Sequence, residues 1–511
     1  MSLTFESLVQ LALLGTERQA PTTLTGEATP LGKLQQSAQS DNREHTLLSL
    51  SAIAGIHQRA GALPPRESRP LPAAAAMETK QRSSERANSM LAQMLLGRVV
   101  ELLPEWLRLA GETNQIVSPE TLPSLLAVGV TKTEIRDLLV DVIGERGIWL
   151  AEQNPDWAWA CAATTAEDLT LWETGLPQVR LQLLRRLRAS DRSLARELLA
   201  ATWKDESPDD RAAFLDAFSI QLVAADEEFL EGAVGDKRKE VRKAATKLLA
   251  RLIGSRFAAR MVERADKHIH FLPGEEGGLL KLRSKPASIE VNLPNELETS
   301  WQRDGIDAKP PKGLGEKAWW IIQLLELTPL VHWTDKWSVS PAEMISAAAA
   351  SEWKSELIEG WLRAALLQRN SDWANAIFQV ATSLDKKDRL ANLLELMTPA
   401  SVESSLSPLL EAKAPEAALV FLTRHDWSAD FSRKVLTWLR AITGLESFDW
   451  QTRNRIPELV ARLAPETLTE TKDGWPSPDA KGWDFWRSHV EEFIAAADFR
   501  REMIHALRNP N

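Results

Sequence analysis

Apolar residues recur at the three- and four-residue spacing of amphipathic helices along most of the chain. Between residues 83 and 109, for example, Met90, Leu91, Met94 and Leu95 share one face of a predicted helix. Comparable patterns resume after residue 316 and continue to residue 507. This distribution predicts an all-α fold.

Two segments interrupt the helical pattern and divide the chain. Residues 61–76 contain a cluster of prolines, which cannot continue a helix, and are predicted to form a linker. Residues 268–315 contain two alternating stretches, LLKLR and SIEVNL, which predict short strands and a β-hairpin. We therefore expect four parts. They are an N-terminal helical segment with a Pro/Ala-rich linker (1–76), a first helical array (77–267), an irregular or β insertion (268–315) and a second helical array (316–511).

A 31-residue period runs through the first array and is marked by three arginines: Arg180, Arg211 and Arg242. Apolar residues follow the same step, as in Leu183, Phe214 and Ala245. Such a period with two helices per unit is typical of an α-solenoid, in which each helix pair packs on its neighbour. The units resemble HEAT-like repeats, in which an acidic residue and a Val-Arg pair open the inner helix, as Asp236, Val241 and Arg242 do here. The resemblance implies that the three arginines tie adjacent repeats together.

The charge of the chain is unevenly distributed. The net charge is −10, which disfavours general binding to nucleic acids or anionic membranes. Residues 232–265 nevertheless contain ten Lys or Arg and only three Asp or Glu. The apolar stripe of this basic helix, residues 236–252, leaves five basic side chains pointing outward: Lys237, Lys239, Lys243, Lys247 and Arg251. They form either a self-paired or solvated face or a docking surface for an acidic partner.

Residue patterns typical of catalytic or metal sites are sparse. We find no phosphate-binding loop, dinucleotide fingerprint, zinc-protease motif or nucleophile elbow. His268 and His270 stand two residues apart on a predicted strand, but no third ligand follows at a fixed spacing. We therefore expect no catalytic residue, metal or cofactor. The 20 tryptophans are interpreted as core residues rather than ligand-stacking residues.

The single cysteine, Cys161, leaves no partner for an intramolecular disulfide and indicates a reducing compartment. The N-terminus has no basic residue before its short apolar stretch, which is not typical of a signal peptide. No apolar run approaches the roughly 20 residues that span a bilayer. These features predict a cytoplasmic protein without a membrane partner.

Residues 291–333, VNLPNELETSWQRDGIDAKPPKGLGEKAWWIIQLLELTPLVHW, resemble a hallmark stretch of a bacterial family known as domain of unknown function 5691. The preceding residues 226–261 are also similar to that family. The family has no assigned activity, so the resemblance carries over no catalytic residue. It implies a gene neighbourhood with a MoxR-type AAA ATPase, a von Willebrand factor A-domain protein and a SWIM zinc-finger protein. The RDGI and PPKGLGEKAWW motifs are predicted to form a loop that locks the two arrays together.

Two classes of function remain open from the sequence. The first is a non-enzymatic protein-interaction scaffold or adaptor, which the resemblance links to an AAA ATPase and a von Willebrand A-domain partner. The alternative is a HEAT-like nucleic-acid-binding or DNA-processing protein that uses the basic helix 236–252. The acidic balance of the chain places the nucleic-acid hypothesis second.

Overall fold

Helices dominate the protein. A computed structural model describes residues 5–18, 30–59, 72–160, 170, 172–274, 285–381, 387–443 and 450–509. Within these residues, two sheets of two short strands each are the only extended β-structure. This confirms the predicted all-α class. Cys161 and most of the predicted linker lie outside the described residues.

The chain divides into two compact units, Met1–Ala74 and Ala75–Asn511, called unit 1 and unit 2 below. Unit 1 contains helices α1 (Phe5–Leu14), α2 (Pro30–Ser37) and α3 (Arg43–Arg59). Its core consists of four buried leucines on α1 and α3: Leu8, Leu11, Leu47 and Leu50. The finer division of residues 77–511 into two arrays and an insertion stays a prediction.

The first part of unit 2 contains ten helices whose full length the structure describes. They are α4 (Glu85–Leu95), α5 (Leu103–Glu112), α6 (Leu122–Thr131), α7 (Arg136–Gln153), α8 (Pro177–Ser190), α9 (Arg192–Thr202), α10 (Pro208–Ala217), α11 (Glu227–Val234), α12 (Lys239–Leu249) and α13 (Arg256–His268). Strand β1 (Gln81–Arg82) pairs in parallel with β2 (Gln115–Ile116). Short 3-10 helices at Val100–Leu102, Pro119–Thr121, Thr133–Ile135, Pro155–Ala160 and Ala224–Asp226 connect these elements.

Strands β3 (Ile269–Leu272) and β4 (Ser288–Val291) form an antiparallel pair between the helical regions. The following helices are α14 (Thr299–Arg303), α15 (Glu316–Leu327), α16 (Leu330–Trp337), α17 (Pro341–Ala349), α18 (Lys354–Gln368), α19 (Ser371–Ala381), α20 (Lys387–Leu396), α21 (Pro399–Glu411), α22 (Ala429–Ile442), α23 (Trp450–Arg455) and α24 (Trp483–Arg508). Three 3-10 helices lie among them, at Pro415–Leu422, Ile456–Arg462 and Pro465–Lys472.

Strand β4 falls within the predicted stretch SIEVNL, but its partner differs from the prediction. Ile269 pairs with Val291 and Leu272 pairs with Ser288, so the strand after α13 fills the role expected for LLKLR. Residues 279–283, which form LLKLR, lie outside the described residues. Residues 269–272 are only four positions long and follow α13 directly, so the sequence pattern did not identify them as the partner of β4.

The 31-residue period coincides with a regular step between helices. Helices α8, α10 and α12 begin at Pro177, Pro208 and Lys239, which are 31 residues apart. Proline suits the first turn of a helix because the missing N–H has no helical acceptor there. Helix α10 packs against both α8 and α12, and the helices α9, α11 and α13 follow them in turn. The assignment of these pairs to a HEAT-like solenoid stays a prediction.

The two ends of unit 2 are in contact. Helix α24 packs against α4 and α5. The Arg500 guanidinium donates to the Glu105 carboxylate, with one contact at 2.8 Å, and joins residues that are 395 positions apart. Arg500 also donates to the carbonyl oxygen of Val460 at 2.6 Å and to that of Leu463. This guanidinium, only 1% exposed, therefore has acceptors on both sides of the contact.

Many tryptophans lie in the core, as expected. Those that are fully buried are Trp106, Trp301, Trp333, Trp361, Trp373 and Trp486. Trp333, for example, packs against Trp337 with ring centroids 5.7 Å apart and against Trp361 at 6.0 Å. No described helix is both long and apolar enough to cross a membrane.

Candidate functional site

The predicted docking residues lie on helix α12 and on the turns at its two ends. Val241, Ala245 and Leu249 are fully buried. Lys237, at the turn before the helix, and the helical Lys239 and Lys247 are exposed, as predicted. The two others, Lys243 and Arg251, are half-buried.

Three of these lysines pair with acidic residues from downstream in the chain. Lys239 Nζ lies 3.0 Å from Asp307 Oδ1, and Lys243 contacts the other oxygen of the same carboxylate. Lys247 Nζ lies 3.8 Å from Glu326 Oε1. The middle of the basic helix is therefore a self-paired face, which was one of the two interpretations of the sequence.

Arg251 does not belong to an outward-facing surface. Its Nη2 donates to the carbonyl oxygen of Ser219 at 3.4 Å. Burial lowers the pKa of Arg251, and the nearby positive charge of Arg369 lowers it further. This arginine therefore packs against its neighbours in the fold instead of extending the basic surface.

Within the basic segment 236–252, Lys237 and Arg238 remain available to a partner. Both side chains are exposed, and neither makes an ion pair with any residue that the structure describes. They lie on the turn between α11 and α12. The Asp236 Oδ1 atom accepts the backbone N–H of Arg238 at 2.8 Å, which holds this turn in place.

The arginines of α13 also face acidic groups. Arg260 makes two hydrogen bonds of 3.1 Å to Glu231, and it contacts Asp304 at 3.1 Å. Arg264 lies 2.6 Å from Asp304, and Arg256 lies 3.2 Å from Glu227. The carboxylates that pair with residues 232–265 from outside that segment are Glu227, Glu231, Asp304, Asp307 and Glu326. They reduce the local charge from +7 to +2.

The loop predicted to lock the helical regions contacts both of them. Asp304 binds Arg260 and Arg264 of α13, as described above. The backbone N–H of Asp307 donates to Gln323 Oε1 of α15 at 2.8 Å. Because the Asp307 side chain holds α12, this loop connects the basic helix to the helices that follow.

The three periodic arginines divide into two kinds. Arg180 binds Glu206 at 2.9 Å, and Arg211 binds Asp236 at 2.6 Å. In both cases the acidic partner precedes the first helix of the next pair, as expected for a residue that ties neighbours together. Arg242 differs, because it donates to the backbone carbonyls of Asp236 and Lys237 at 2.9 and 3.0 Å.

A tryptophan contacts each of the first two arginines and lies eight residues before it in the sequence. The Arg180 guanidinium lies 4.4 Å from the ring centre of Trp172, and the Arg211 guanidinium lies 5.7 Å from that of Trp203. Such cation–π contacts add to the ion pairs. Trp172 and Trp203 keep the 31-residue step, so the whole motif repeats once.

A buried ion pair between α8 and the turn before α11 was not anticipated from the sequence. Arg188 and Asp226 are fully buried and make hydrogen bonds of 2.8 and 3.0 Å. Arg196 also contacts Asp226 at 2.9 Å. The available signal was the position of Arg188, which continues the apolar stripe of Leu181 and Leu184 at helical spacing.

The predicted histidine pair does not form a metal centre with other described residues. His268 Nδ1 lies 2.6 Å from the Asn292 carbonyl oxygen, and its ring packs on Trp301. Among the described residues, no group of three or more His, Cys, Asp or Glu side chains is placed to hold a metal ion. Glu275 and Glu276, which lie close to His270 in sequence, are outside the described residues.

A second charged cluster lies where the 3-10 helix Val100–Leu102 packs against Ile456–Arg462. Burial raises the pKa of Glu101, and the negative charge of Glu458 raises it further. Burial also lowers the pKa of Arg462 and of His425. These groups lie far apart in the sequence, so no motif could predict them.

This second cluster lacks the contacts of a catalytic serine. Ser428 Oγ donates to Glu403 Oε2 at 2.5 Å, and His425 Nε2 lies 3.6 Å from the other carboxylate oxygen. The carboxylate, not the imidazole, thus accepts the hydroxyl proton, so Ser428 and His425 do not make the hydrogen bond of a Ser-His pair. Ser428 also caps α22 by accepting the N–H of Phe431 at 3.2 Å. These contacts account for the cluster as a structural feature.

One family model matches the chain over residues 7–507, and it is described as a family of unknown function, DUF5691. The chain therefore belongs to this family, as the stretch 291–333 indicated. No curated protein and no solved structure matches it.

Proposed function

We propose that this member of DUF5691 is a non-enzymatic interaction scaffold or adaptor that binds a protein partner at the N-terminal end of α12. The observation that carries the proposal is the pair Lys237 and Arg238. Both are exposed, and neither makes an ion pair with a described residue, whereas the basic residues around them are paired. This turn is accordingly the centre of the docking surface, with the half-exposed Lys239 beside it.

The turn is held rigidly before any partner binds. Arg242 donates to the carbonyl oxygens of Asp236 and Lys237, and Arg211 binds the Asp236 side chain. A surface that is already ordered loses less conformational entropy on binding. The same contact area therefore gives a higher affinity. The two positive side chains favour a partner with an acidic surface.

The partner that we propose is taken from the family resemblance. It implies a gene neighbourhood with a MoxR-type AAA ATPase and a von Willebrand A-domain protein, and a helical protein with an exposed basic turn is suited to join such partners. The acidic groups Asp304, Asp307 and Glu326 pair with basic residues of this region, which leaves fewer positive charges to contact phosphates. They weigh against the nucleic-acid alternative.

The test is co-purification of the tagged full-length protein from its own host, followed by mass spectrometry. The docking variant is Lys237→Glu with Arg238→Glu, which leaves the ion pairs of Asp307 and Glu326 intact. The matched control is Lys204→Glu with Lys354→Glu, two exposed lysines without an ion pair to a described residue. We expect the AAA ATPase to accompany the wild type and the control, and to be lost with the docking variant.

Two results would overturn the proposal. The docking variant could retain as much ATPase as the control, which would show that the turn is not the docking surface. Alternatively, the purified protein could bind duplex DNA at about 50 mM salt, where counterion release favours binding most, and lose it in the docking variant. That outcome would replace the scaffold by the nucleic-acid function.

A further inference from the structure

Two acidic side chains lie beside Lys237 and Arg238, called the docking turn below, at equivalent positions of the repeat. Asp209 is in the first turn of α10, and Glu240 is in the first turn of α12, 31 residues later. Both are exposed, and neither makes an ion pair with a residue that the structure describes. Because α10 and α12 pack together and begin at the same step of the period, these two residues lie on the same edge of the helices.

The acidic pair and the docking turn belong to one surface. Arg211, two residues after Asp209, binds the carboxylate of Asp236 at 2.6 Å, and Asp236 directly precedes the docking turn. Glu240 follows the docking turn by two positions. The axes of packed helices lie about 8 to 10 Å apart. The two positive and the two negative residues are therefore neighbours, separated by about one helix spacing.

A protein that binds the docking turn must also cover the acidic pair. A stable interface buries about 800 Å² on each partner, which corresponds to a patch roughly 30 Å across. This patch is wider than the distance between the docking turn and either acidic residue. An acidic group of the partner would be repelled by Asp209 and Glu240, and an apolar group would remove water from both carboxylates without replacing it. A basic group compensates for both losses.

We propose, on the basis of the function proposed above, that the protein partner has a surface of mixed charge. Its acidic groups contact the docking turn, and two basic groups about 10 Å apart contact Asp209 and Glu240, since this is the spacing of neighbouring helices. Such an arrangement also fixes the position of the partner, because a shift by one helix spacing places like charges against each other. The partner thus differs from a uniformly acidic protein, which the docking turn alone would accept.

The test is the affinity of the purified MoxR-type AAA ATPase from the same organism for a neutralised variant, Asp209→Asn with Glu240→Gln. This variant retains Ser207 as the cap of α10 and leaves the docking turn unchanged. We expect about a threefold or greater loss of affinity, because two exposed ion pairs with the partner are removed. The matched control, Glu491→Gln with Glu492→Gln, removes the same charge from exposed positions on α24 and should bind like the wild type.

The direction of the change separates the two kinds of partner. A uniformly acidic partner is repelled by Asp209 and Glu240, so it would bind the neutralised variant more tightly than the wild type. Tighter or unchanged binding would therefore overturn this inference and leave the proposed function standing. An absence of binding by the wild type would overturn the proposed function and this inference with it. Urea unfolding of both double variants should match the wild type, because the four substituted residues are exposed.

Discussion

Arg500 shows how much one side chain can contribute to this fold. Its guanidinium is buried and has a carboxylate and two carbonyl acceptors from two separate parts of the chain. Removing one partner of a buried ion pair leaves the other charge without compensation. For this reason the contact with Glu105 is expected to dominate the stability of the junction between the ends of unit 2.

The variant Arg500→Ala is expected to lower the free energy of unfolding by about 3 to 5 kcal/mol. The neighbouring Arg501 is 45% exposed and pairs with Asp498 within the same helix. Arg501→Ala should therefore cost less than about 1 kcal/mol. Urea unfolding of the full-length protein measures both values. Equal losses in the two variants would show that the buried pair has no special role.

The pKa of His425 predicts how stability depends on pH. Burial lowers this pKa below its ordinary value of 6.5, although Glu403 and Asp426 oppose the shift. The unfolded chain therefore binds the proton at higher pH than the folded chain. Consequently, the free energy of unfolding decreases as the pH falls from about 6.5 towards the folded-state pKa.

Urea unfolding at about pH 7.5 and pH 5.5 tests this dependence. His425→Gln should lose less stability over this interval than the wild type, and His505→Gln, at an exposed position, should behave like the wild type. Carboxylates such as Glu206, with a pKa lowered from 4.5, change charge mainly below this interval. An identical pH dependence in His425→Gln and the wild type would contradict the assignment of this dependence to His425.

Among the helices, α7 contains a break that is held by a specific contact. Gly144 lies inside α7 with φ of 62°, so the helix consists of two halves. The Glu78 carboxylate accepts the N–H groups of Glu145 and Arg146 at 3.1 and 2.9 Å. Glu78 thus caps the second half of the helix in the way that an N-cap residue does.

Two glycine variants with opposite expected effects test this arrangement. A Cβ on Gly144 would lie 2.6 Å from the Glu78 carboxylate and would occupy a backbone conformation that favours glycine. Gly144→Ala should destabilise the protein by about 1 to 3 kcal/mol. Gly232 lies within α11 and has no atom near its Cβ position, so Gly232→Ala should stabilise the protein by up to about 1 kcal/mol. Thermal unfolding measures the stability of both variants. A shift of the same sign in both would contradict the role described for Gly144.

At the scale of single elements, the spacing of apolar residues predicted most of the local structure. The period of apolar residues located helices such as α12, because the spacing of buried positions is a property of one segment. The sequence did not indicate Ile269–Leu272 as the partner of β4, because strand pairing depends on contacts between segments. For the same reason the sequence placed Lys239 and Lys243 outward but did not reveal Asp307, which lies more than 60 residues away.

Contacts between distant parts of the chain organise the molecule as a whole. In unit 2, α24 packs on α4 and α5 and buries Arg500 against Glu105. The first and the last helix of unit 2 therefore pack together. A repeat period describes neighbouring segments and therefore contains no information about such a contact.

The candidate site shows the same division between local and distant information. The sequence identified the basic run of α12, because ten positive residues cluster within residues 232–265. Only the fold separates the paired lysines from Lys237 and Arg238, because the acidic partners come from distant segments. The docking surface that we propose is consequently smaller than the sequence indicated and lies at one end of the helix.

The most direct test of the central claim is a binding titration between the purified protein and the purified MoxR-type AAA ATPase from the same organism. The account predicts saturable binding that weakens as salt increases, because charged side chains carry the contact. It also predicts at least about a tenfold loss of affinity in the Lys237→Glu and Arg238→Glu double variant, with none in the Lys204→Glu and Lys354→Glu control. Equal affinities of the two double variants would contradict the assignment of the docking surface, and an absence of binding by the wild type would contradict the adaptor function.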